Sequence, residues 1–100
     1  MDGMPASFKV VRTDRELEMP RTDATLRQWG ARLVLLPDGV PEAGLAREVA
    51  DADLLLMCYS RISRAVIEVA PKLKAIVKYG VGIDVIDIDA ARERGVPVVN

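Results

Sequence analysis

The stretch AIVKYGVGIDVIDIDAARERGVPVV, residues 75–99, contains two strand patterns separated by a glycine turn and a helix pattern. Residues 75–78 are a short apolar run rich in β-branched side chains, and residues 96–99 repeat this pattern. Between them, Asp87 is placed to cap a helix and Gly95 to end it in the left-handed conformation. Strand, helix and strand in this order predict parallel strands joined by a crossover helix.

The same alternation extends toward the amino terminus. Three further strands are predicted at residues 8–12, 32–36 and 54–58. The first helix is expected to be capped by Thr22 or Asp23 and to end at Gly30, the second to carry Pro41 in its first turn, and the third to be capped by Ser63.

Five strands with intervening helices predict one domain over residues 1–100, an α/β fold with a doubly wound parallel sheet. The expected strand order is 2-1-3-4-5, which is flavodoxin-like, with right-handed crossovers. Ligands of such sheets bind at the carboxyl ends of the strands. This rule selects residues 12–14, 59–61 and 79–82 as candidate site segments.

Composition limits the partners. Lys and Arg number 14 against 15 Asp and Glu, so the net charge of −1 provides no basic surplus, and neither nucleic acid nor a membrane is an expected partner. The longest apolar runs, residues 33–36 and 54–57, are far shorter than the roughly 20 residues that span a bilayer. The start of the chain shows no secretory signal, and Cys58 stands alone, so we expect a cytoplasmic protein.

The sequence contains no histidine, which excludes nucleophile–imidazole pairs and histidine metal sites within these 100 residues. Without an imidazole to lower its pKa, Cys58 is expected to be an inert core thiol. Asp84 and Asp87 form a possible carboxylate pair, yet Asp is a preferred turn and capping residue. We therefore expect both to bond local backbone and predict no metal site.

The glycine turn KYGVGID, residues 78–84, is the strongest candidate for binding. Two glycines around one small residue let successive amides converge on an anion such as a carboxylate, although the glycines also suit a tight turn with no ligand. A dinucleotide fingerprint would need a third glycine where Val85 stands and an acidic residue about 20 positions further on, past the last residue. The turn is therefore not predicted to bind a dinucleotide.

The runs PKLKAIVKYGVGIDVID, residues 71–87, and AARERGVPVVN, residues 90–100, resemble the end of the substrate domain in D-2-hydroxyacid dehydrogenases. That family includes phosphoglycerate, glycerate and formate dehydrogenases and the C-terminal-binding-protein corepressors. The resemblance implies a two-lobed oxidoreductase that transfers a hydride between NAD or NADP and a D-2-hydroxy or 2-keto acid. The site residues that it implies for binding the substrate carboxylate are Gly80, Val81 and Gly82, with Tyr79 lining the cleft.

By the same resemblance, the cofactor domain and the catalytic Arg, Glu and His lie beyond residue 100. This chain would then carry no catalytic or cofactor-binding residue, would be inactive alone, and would belong to a homodimer at full length. The alternative is a corepressor-like protein that senses NAD(H), or a dimerisation module on the same fold.

The segment Tyr59-Ser60-Arg61-Ile62-Ser63 stands where many family members have R-S-x-T. Ser60 keeps the pattern, but Tyr59 replaces the arginine and Ser63 lies one position past the threonine. A phenol lacks the bidentate phosphate contacts of a guanidinium, so this departure argues against a phosphoglycerate substrate. Arg61 is predicted to contact a polar substrate tail, the alternative being a solvated surface arginine.

Overall fold

The computed structural model describes residues 8–15, 17–79 and 85–100. In these ranges five strands alternate with four helices: β1 Lys9–Arg12, α1 Pro20–Gln28, β2 Arg32–Leu35, α2 Glu42–Val49, β3 Leu54–Met57, α3 Arg64–Glu68, β4 Ala75–Lys78, α4 Ile88–Glu93 and β5 Val98–Val99. None of these helices is long and apolar enough to cross a membrane.

The strands form one parallel sheet in the order β2-β1-β3-β4-β5, which confirms the predicted flavodoxin-like topology. Val11 of β1 pairs with Val34 of β2 on one side and with Leu55 of β3 on the other. Leu55 in turn lies opposite Ile76 of β4. Strand β1 thus lies in the interior of the sheet, with β2 at one edge and β5 at the other.

Helices cover both faces of the sheet. On one face, the buried side chains of α2, α3 and α4 pack with strand residues Val11, Leu55 and Ile76 in the main core. On the other face, Leu26 of α1 packs with Val10 in a smaller cluster. Burial on both faces explains why β3 is a continuous apolar run rather than an alternating one.

Two predicted helix starts are wrong. Helix α1 begins at Pro20 after Met19, which makes no side-chain cap, because proline's fixed φ suits the first helical position. Asp23 lies inside the helix, where its carboxylate pairs with Arg12, so neither Thr22 nor Asp23 is the cap. Pro41 is the extended residue before α2 rather than part of its first turn.

The other predicted helix ends are confirmed. The Ser63 hydroxyl accepts a hydrogen bond from the amide of Val66, and the Asp87 carboxylate accepts one from the amide of Ala90. Gly30 and Gly95 have φ of 92° and 69°.

Strand β5 is shorter than predicted because neither Val96 nor Pro97 donates an amide hydrogen bond to a neighbouring strand. The amide of Val96 donates to the carbonyl of Ala91 at 2.8 Å and so completes the end of α4. Pro97 has no amide proton to donate to a neighbouring strand. Only Val98 and Val99 remain as strand residues.

Candidate functional site

The carboxyl ends of β1, β3 and β4 meet at one edge of the sheet. The amide of Thr13, which follows β1, donates to the carbonyl of Leu56 at 2.9 Å. The amide of Tyr79, which follows β4, donates to the carbonyl of Met57 at 3.0 Å. Thr13 and Tyr79, which belong to the predicted site segments 12–14 and 79–82, are therefore both bonded to the end of β3, at the place where ligands of such sheets bind.

Asp14 is the centre of the contacts at this edge. It is 3% exposed, and its φ of 58° places it in the left-handed region, where Asp is among the few residues that occur. Its Oδ2 accepts hydrogen bonds from the amides of Cys58, Tyr59 and Ser60 at 3.0, 2.9 and 3.3 Å. The hydroxyl of Thr13 donates to the same oxygen at 2.7 Å.

The segment that Asp14 binds, residues 58–61, is called the β3 loop below. Its Ser60 hydroxyl also donates to Oδ1 of Asp14, at 3.1 Å. Tyr59 is 73% exposed and Arg61 is exposed as well, whereas Ser60 is half-buried. The loop therefore turns Tyr59 and Arg61 toward solvent and the Ser60 hydroxyl inward.

Asp14 is ionised at neutral pH. Burial by itself raises the pKa of its carboxyl, but hydrogen bonds from the Thr13 hydroxyl and from the amides of Tyr59, Cys58 and Ser60 outweigh burial. The pKa of Asp14 consequently lies below its usual value of 3.8. The β3 loop is thus hydrogen-bonded to a buried carboxylate anion.

Tyr79 is anchored by the same strand end. Its hydroxyl donates to the carbonyl of Thr13 at 3.0 Å. Burial raises the pKa of the phenol despite the nearby Arg12 guanidinium, so the hydroxyl keeps the proton that it donates. Tyr79 is thereby fixed at the point where the chain enters the glycine turn.

The predicted carboxylate-binding residues Gly80, Val81 and Gly82, and also Asp84, lie outside the described residues. The chain that follows them is anchored beside the β3 loop. The amide of Ile62 donates to the carbonyl of Val85 at 2.7 Å, and the amide of Asp87 donates to the carbonyl of Ile62 at 2.9 Å. Both described flanks of the glycine turn are therefore bonded to the carboxyl edge.

Arg12, in contrast, is used internally. Its guanidinium is buried and donates to the Asp23 carboxylate and to the carbonyl of Leu17. Burial alone would lower the pKa of Arg12, but hydrogen bonding to Asp23 and to Tyr79 holds it above its usual value. The guanidinium of Arg12 is therefore paired inside the fold rather than exposed at the carboxyl edge.

Cys58 is buried in the core, as predicted, and its inertness stays a prediction. Within the described ranges, no three His, Cys, Asp or Glu side chains are grouped as metal ligands.

The described residues that follow the glycine turn do not provide the free helix terminus that binds a dinucleotide. A dinucleotide turn leads directly into a helix whose free amino-terminal amides bind the pyrophosphate. Here the carbonyl of Val85 is bonded to Ile62, and α4 starts only at Ile88. The Asp87 carboxylate already occupies the amide of Ala90, at 2.9 Å. An anionic cap at that helix end disfavours a second anion there.

The central role of Asp14 was not predicted. The strand-end rule selected residues 12–14 as a segment, but no function was assigned to Asp14 itself. A local signal exists, because Asp directly after a buried strand tolerates the left-handed conformation. Its partners in the β3 loop, however, are 44 to 46 positions away in the sequence, and the fold alone brings them to Asp14.

A model of a known protein family matches residues 11–100 and is described as D-isomer specific 2-hydroxyacid dehydrogenase, catalytic domain. This chain belongs to that family. The resemblance seen in residues 71–100 is thereby confirmed, and the match extends over nearly the whole sheet.

Three similar proteins illustrate the relationship within the D-isomer specific 2-hydroxyacid dehydrogenases. D-3-phosphoglycerate dehydrogenase of Methanocaldococcus jannaschii is 44% identical over 63 residues, which cover 62% of this chain and 12% of that protein. Glyoxylate reductase of Pyrococcus horikoshii is 42% identical over 62 residues, covering 61% of this chain and 19% of that protein. The match thus spans less than a fifth of the length of either relative.

The third is a crystal structure of NAD+-bound 3-phosphoglycerate dehydrogenase from Entamoeba histolytica. It superimposes with a TM-score of 0.81 at 24% identity, covering 92% of this chain and 32% of that one. At this identity the superposition establishes the shared fold.

Proposed function

We propose that this chain is the substrate-binding lobe of an oxidoreductase that transfers a hydride between NAD(P) and a D-2-hydroxy or 2-keto acid. One observation supports the proposal: in this member of the family, hydrogen bonds hold the loops at the carboxyl ends of the strands in place. Asp14 fixes the β3 loop there, and Thr13 fixes Tyr79 at the entrance to the glycine turn. The cofactor domain and the catalytic residues are proposed to lie in the polypeptide beyond residue 100.

The substrate carboxylate is proposed to bind the backbone amides of Gly80, Val81 and Gly82. Amide N–H groups at paired glycines suit a carboxylate because no Cβ obstructs its approach. The amides of residues 58–60 in the β3 loop are not available for this purpose, since they already bind Asp14. Among the loops at this edge, the glycine turn is therefore the better source of donors.

The β3 loop is proposed to contact the rest of the substrate. Tyr59 and Arg61 are exposed at its surface, and Arg61 can donate to a polar tail. Tyr59 provides a flat apolar face with one hydroxyl, which suits a compact unphosphorylated acid better than a phosphate ester. We therefore expect unphosphorylated 2-keto acids to be the better substrates.

Hydride transfer and proton transfer need groups that this chain lacks. The nicotinamide, when bound, supplies or accepts the hydride at the substrate's second carbon. The 100 residues contain no imidazole to exchange the accompanying proton. The proposed contribution of this lobe is to hold the acid by its carboxylate and to orient its carbonyl toward the second lobe. The homodimer stays a prediction.

Carboxylate binding can be tested on the 100-residue chain by amide NMR. Pyruvate should shift the resonances of Gly80, Val81 and Gly82 in a saturable manner, whereas methyl pyruvate, which has the same carbonyl but no carboxylate, should not. Equal shifts with both compounds, or shifts confined to other residues, would contradict the proposed binding mode.

Turnover can be tested on the complete polypeptide. Loss of NADH or NADPH absorbance is expected with glyoxylate, pyruvate or hydroxypyruvate, and the 100-residue chain alone should show none. Binding of keto acids by the complete protein without any turnover would instead support the regulatory alternative.

A further inference from the structure

The carboxylate of Asp14 binds three consecutive amides of the β3 loop. Amides of residues 58, 59 and 60 all point at one oxygen, so the loop is wrapped around the carboxylate. The Ser60 hydroxyl binds the other oxygen at 3.1 Å. Hydrogen bonds to an ionised acceptor are the stronger class, so this one side chain sets the conformation of the loop.

The backbone of Asp14 is itself held in an uncommon conformation. Its φ of 58° lies in the left-handed region, which L residues other than Asn and Asp seldom adopt. The turn brings the side chain back over the end of β1, where the amide of Arg15 donates to the carbonyl of Leu36 at 2.9 Å. Uncommon backbone conformations that the surrounding structure fixes occur often at functional sites.

Thr13 and Asp14 together contact both the β3 loop and Tyr79. Asp14 binds the β3 loop, and the carbonyl of Thr13 accepts the hydroxyl of Tyr79. The Thr13 hydroxyl closes the unit by donating to Asp14. Two adjacent residues therefore connect the loop that presents Tyr59 with the residue that enters the glycine turn.

We infer that Asp14 is a positioning residue for substrate binding: its carboxylate holds the β3 loop so that Tyr59 and Arg61 face the substrate. This inference rests on the proposed function, because it assigns the β3 loop to the substrate. Asp14 itself is buried and does not touch the substrate. Its effect is transmitted through the amides of residues 58–60.

The connection between Asp14 and the loop can be measured by NMR on the 100-residue chain. The nearby charged and titratable groups are Tyr79, which interacts with the Asp14 charge, Arg12, which contacts Tyr79, and Asp23, which pairs with Arg12. Of these groups only Asp14 is hydrogen-bonded to the loop amides, so its protonation should move all three amides together. The amide protons of Cys58, Tyr59 and Ser60 should therefore shift with one common midpoint below 3.8. Separate midpoints, or no shift in this range, would overturn the inference.

The effect on substrate binding can be measured by steady-state kinetics of the complete protein. Asp14→Asn keeps one side-chain oxygen and tolerates the left-handed backbone, whereas Asp14→Gly keeps only the backbone freedom. The KM for the keto acid should rise about tenfold in Asp14→Asn and further in Asp14→Gly, which corresponds to ~1.4 kcal/mol per tenfold step. The KM for the nicotinamide cofactor should not change.

Asp53→Asn provides the matched control. Asp53 is also buried, and its carboxylate accepts a hydrogen bond from the backbone amide of Lys9 at 2.8 Å. This contact lies at the amino ends of β1 and β3, away from the β3 loop. Asp53→Asn should lower the midpoint of thermal unfolding without changing the keto-acid KM. Equal KM values for wild type, Asp14→Asn and Asp14→Gly would overturn the positioning role.

The two proposals fail in different ways. A complete wild-type protein that reduces no keto acid would remove the proposed function, and with it the substrate role of the loop, while the common amide midpoint would still be observed. If the wild-type enzyme is active but its loop amides do not shift with pH, only the positioning role of Asp14 is contradicted.

Discussion

Arg12 at the end of β1 and Asp23 in α1 form a bidentate ion pair. The guanidinium Nε lies 2.9 Å from Oδ1 of Asp23, and Nη2 lies 2.8 Å from Oδ2. Their side chains are only 1% and 11% exposed. The third guanidinium nitrogen donates to the carbonyl of Leu17 at 3.0 Å. The pair therefore fixes both the helix and the connection that leads to it against the sheet.

Removal of Asp23 should destabilise the fold severely. Asp23→Ala leaves the Arg12 charge buried without its partner, and such changes cost about 3–5 kcal/mol. The free energy of unfolding from urea titration measures the loss. Glu68→Ala is the control, because its 3.3 Å contact with Arg64 is solvent-exposed and should contribute far less to the free energy of unfolding.

The double variant Arg12→Met with Asp23→Leu replaces both buried charges with apolar side chains. Apolar residues of similar size can replace a buried ion pair with little loss of stability. The double variant should therefore be more stable than Asp23→Ala. A double variant that is less stable than Asp23→Ala would show that the contacts of Arg12 with its other neighbours dominate.

This pair also shows what the sequence could reveal. Local signals predicted the caps Ser63 and Asp87 and the helix end at Gly95, because each depends on residues within one turn. Asp23 carries the same local signal as a cap, yet a partner on β1 defines its role. Residue type alone cannot distinguish a capping aspartate from one that pairs across the fold.

The candidate site shows the same limit. The strand-end rule and the family resemblance located the edge and the residues Tyr59, Ser60, Arg61 and Tyr79, whose substrate roles stay predictions. They did not identify Asp14, because hydrogen bonds between residues 14 and 60 depend on β1 and β3 being neighbours. The cytoplasmic location, expected from composition, also stays a prediction.

Acid should destabilise the wild-type chain partly through Asp14. The pKa of its carboxyl is lower in the folded chain than the unfolded value near 3.9, so its stabilising effect is present above that value. It is lost as pH falls from there through the folded pKa. In this window the wild type should lose up to ~1.4 kcal/mol more per pH unit than Asp14→Asn, which has no proton to bind. Urea unfolding from pH 2 to 6 tests this.

Glu93→Gln is the control for acid sensitivity. Hydrogen bonding to Arg64 also lowers the pKa of Glu93, but this pair is exposed to solvent. Salt screens exposed pairs more than buried ones. Added salt should therefore remove the difference in acid sensitivity between Glu93→Gln and wild type. It should not remove the difference in acid sensitivity between Asp14→Asn and wild type. If salt removed both differences, the buried location of the Asp14 carboxylate would be contradicted.

Two glycines should respond to alanine in opposite directions. Gly95 ends α4 with φ of +69° and has no atom within 4 Å of an added Cβ, so Gly95→Ala costs only backbone strain, about 1 kcal/mol. Gly44 lies inside α2, where an added Cβ would make ordinary contact with Val40 at 3.5 Å. Gly44→Ala should stabilise the chain by about 0.5–1 kcal/mol. Thermal unfolding of both variants tests the contrast, and equal signs would contradict it.

Tyr59→Arg should shift substrate preference toward phosphorylated acids. The β3 loop holds side chain 59 in solvent at the carboxyl edge, and the family's R-S-x-T pattern has arginine at this position. A guanidinium there can form charge-assisted hydrogen bonds with a phosphate, each contributing about 1.5–3 kcal/mol. In the complete protein, kcat/KM for 3-phosphoglycerate should rise at least tenfold.

The phosphate-free analogue D-glycerate is the internal control, since it shares the carboxylate and the hydroxyl that reacts. Its kcat/KM should change by less than about twofold, because Tyr59→Arg adds contacts only to the phosphate. The gain for 3-phosphoglycerate should also shrink as salt is added, as expected for a solvent-exposed charge pair. A variant that improves both substrates equally would place residue 59 near the reacting carbon, and the β3 loop would then contact the hydroxy acid itself rather than the tail.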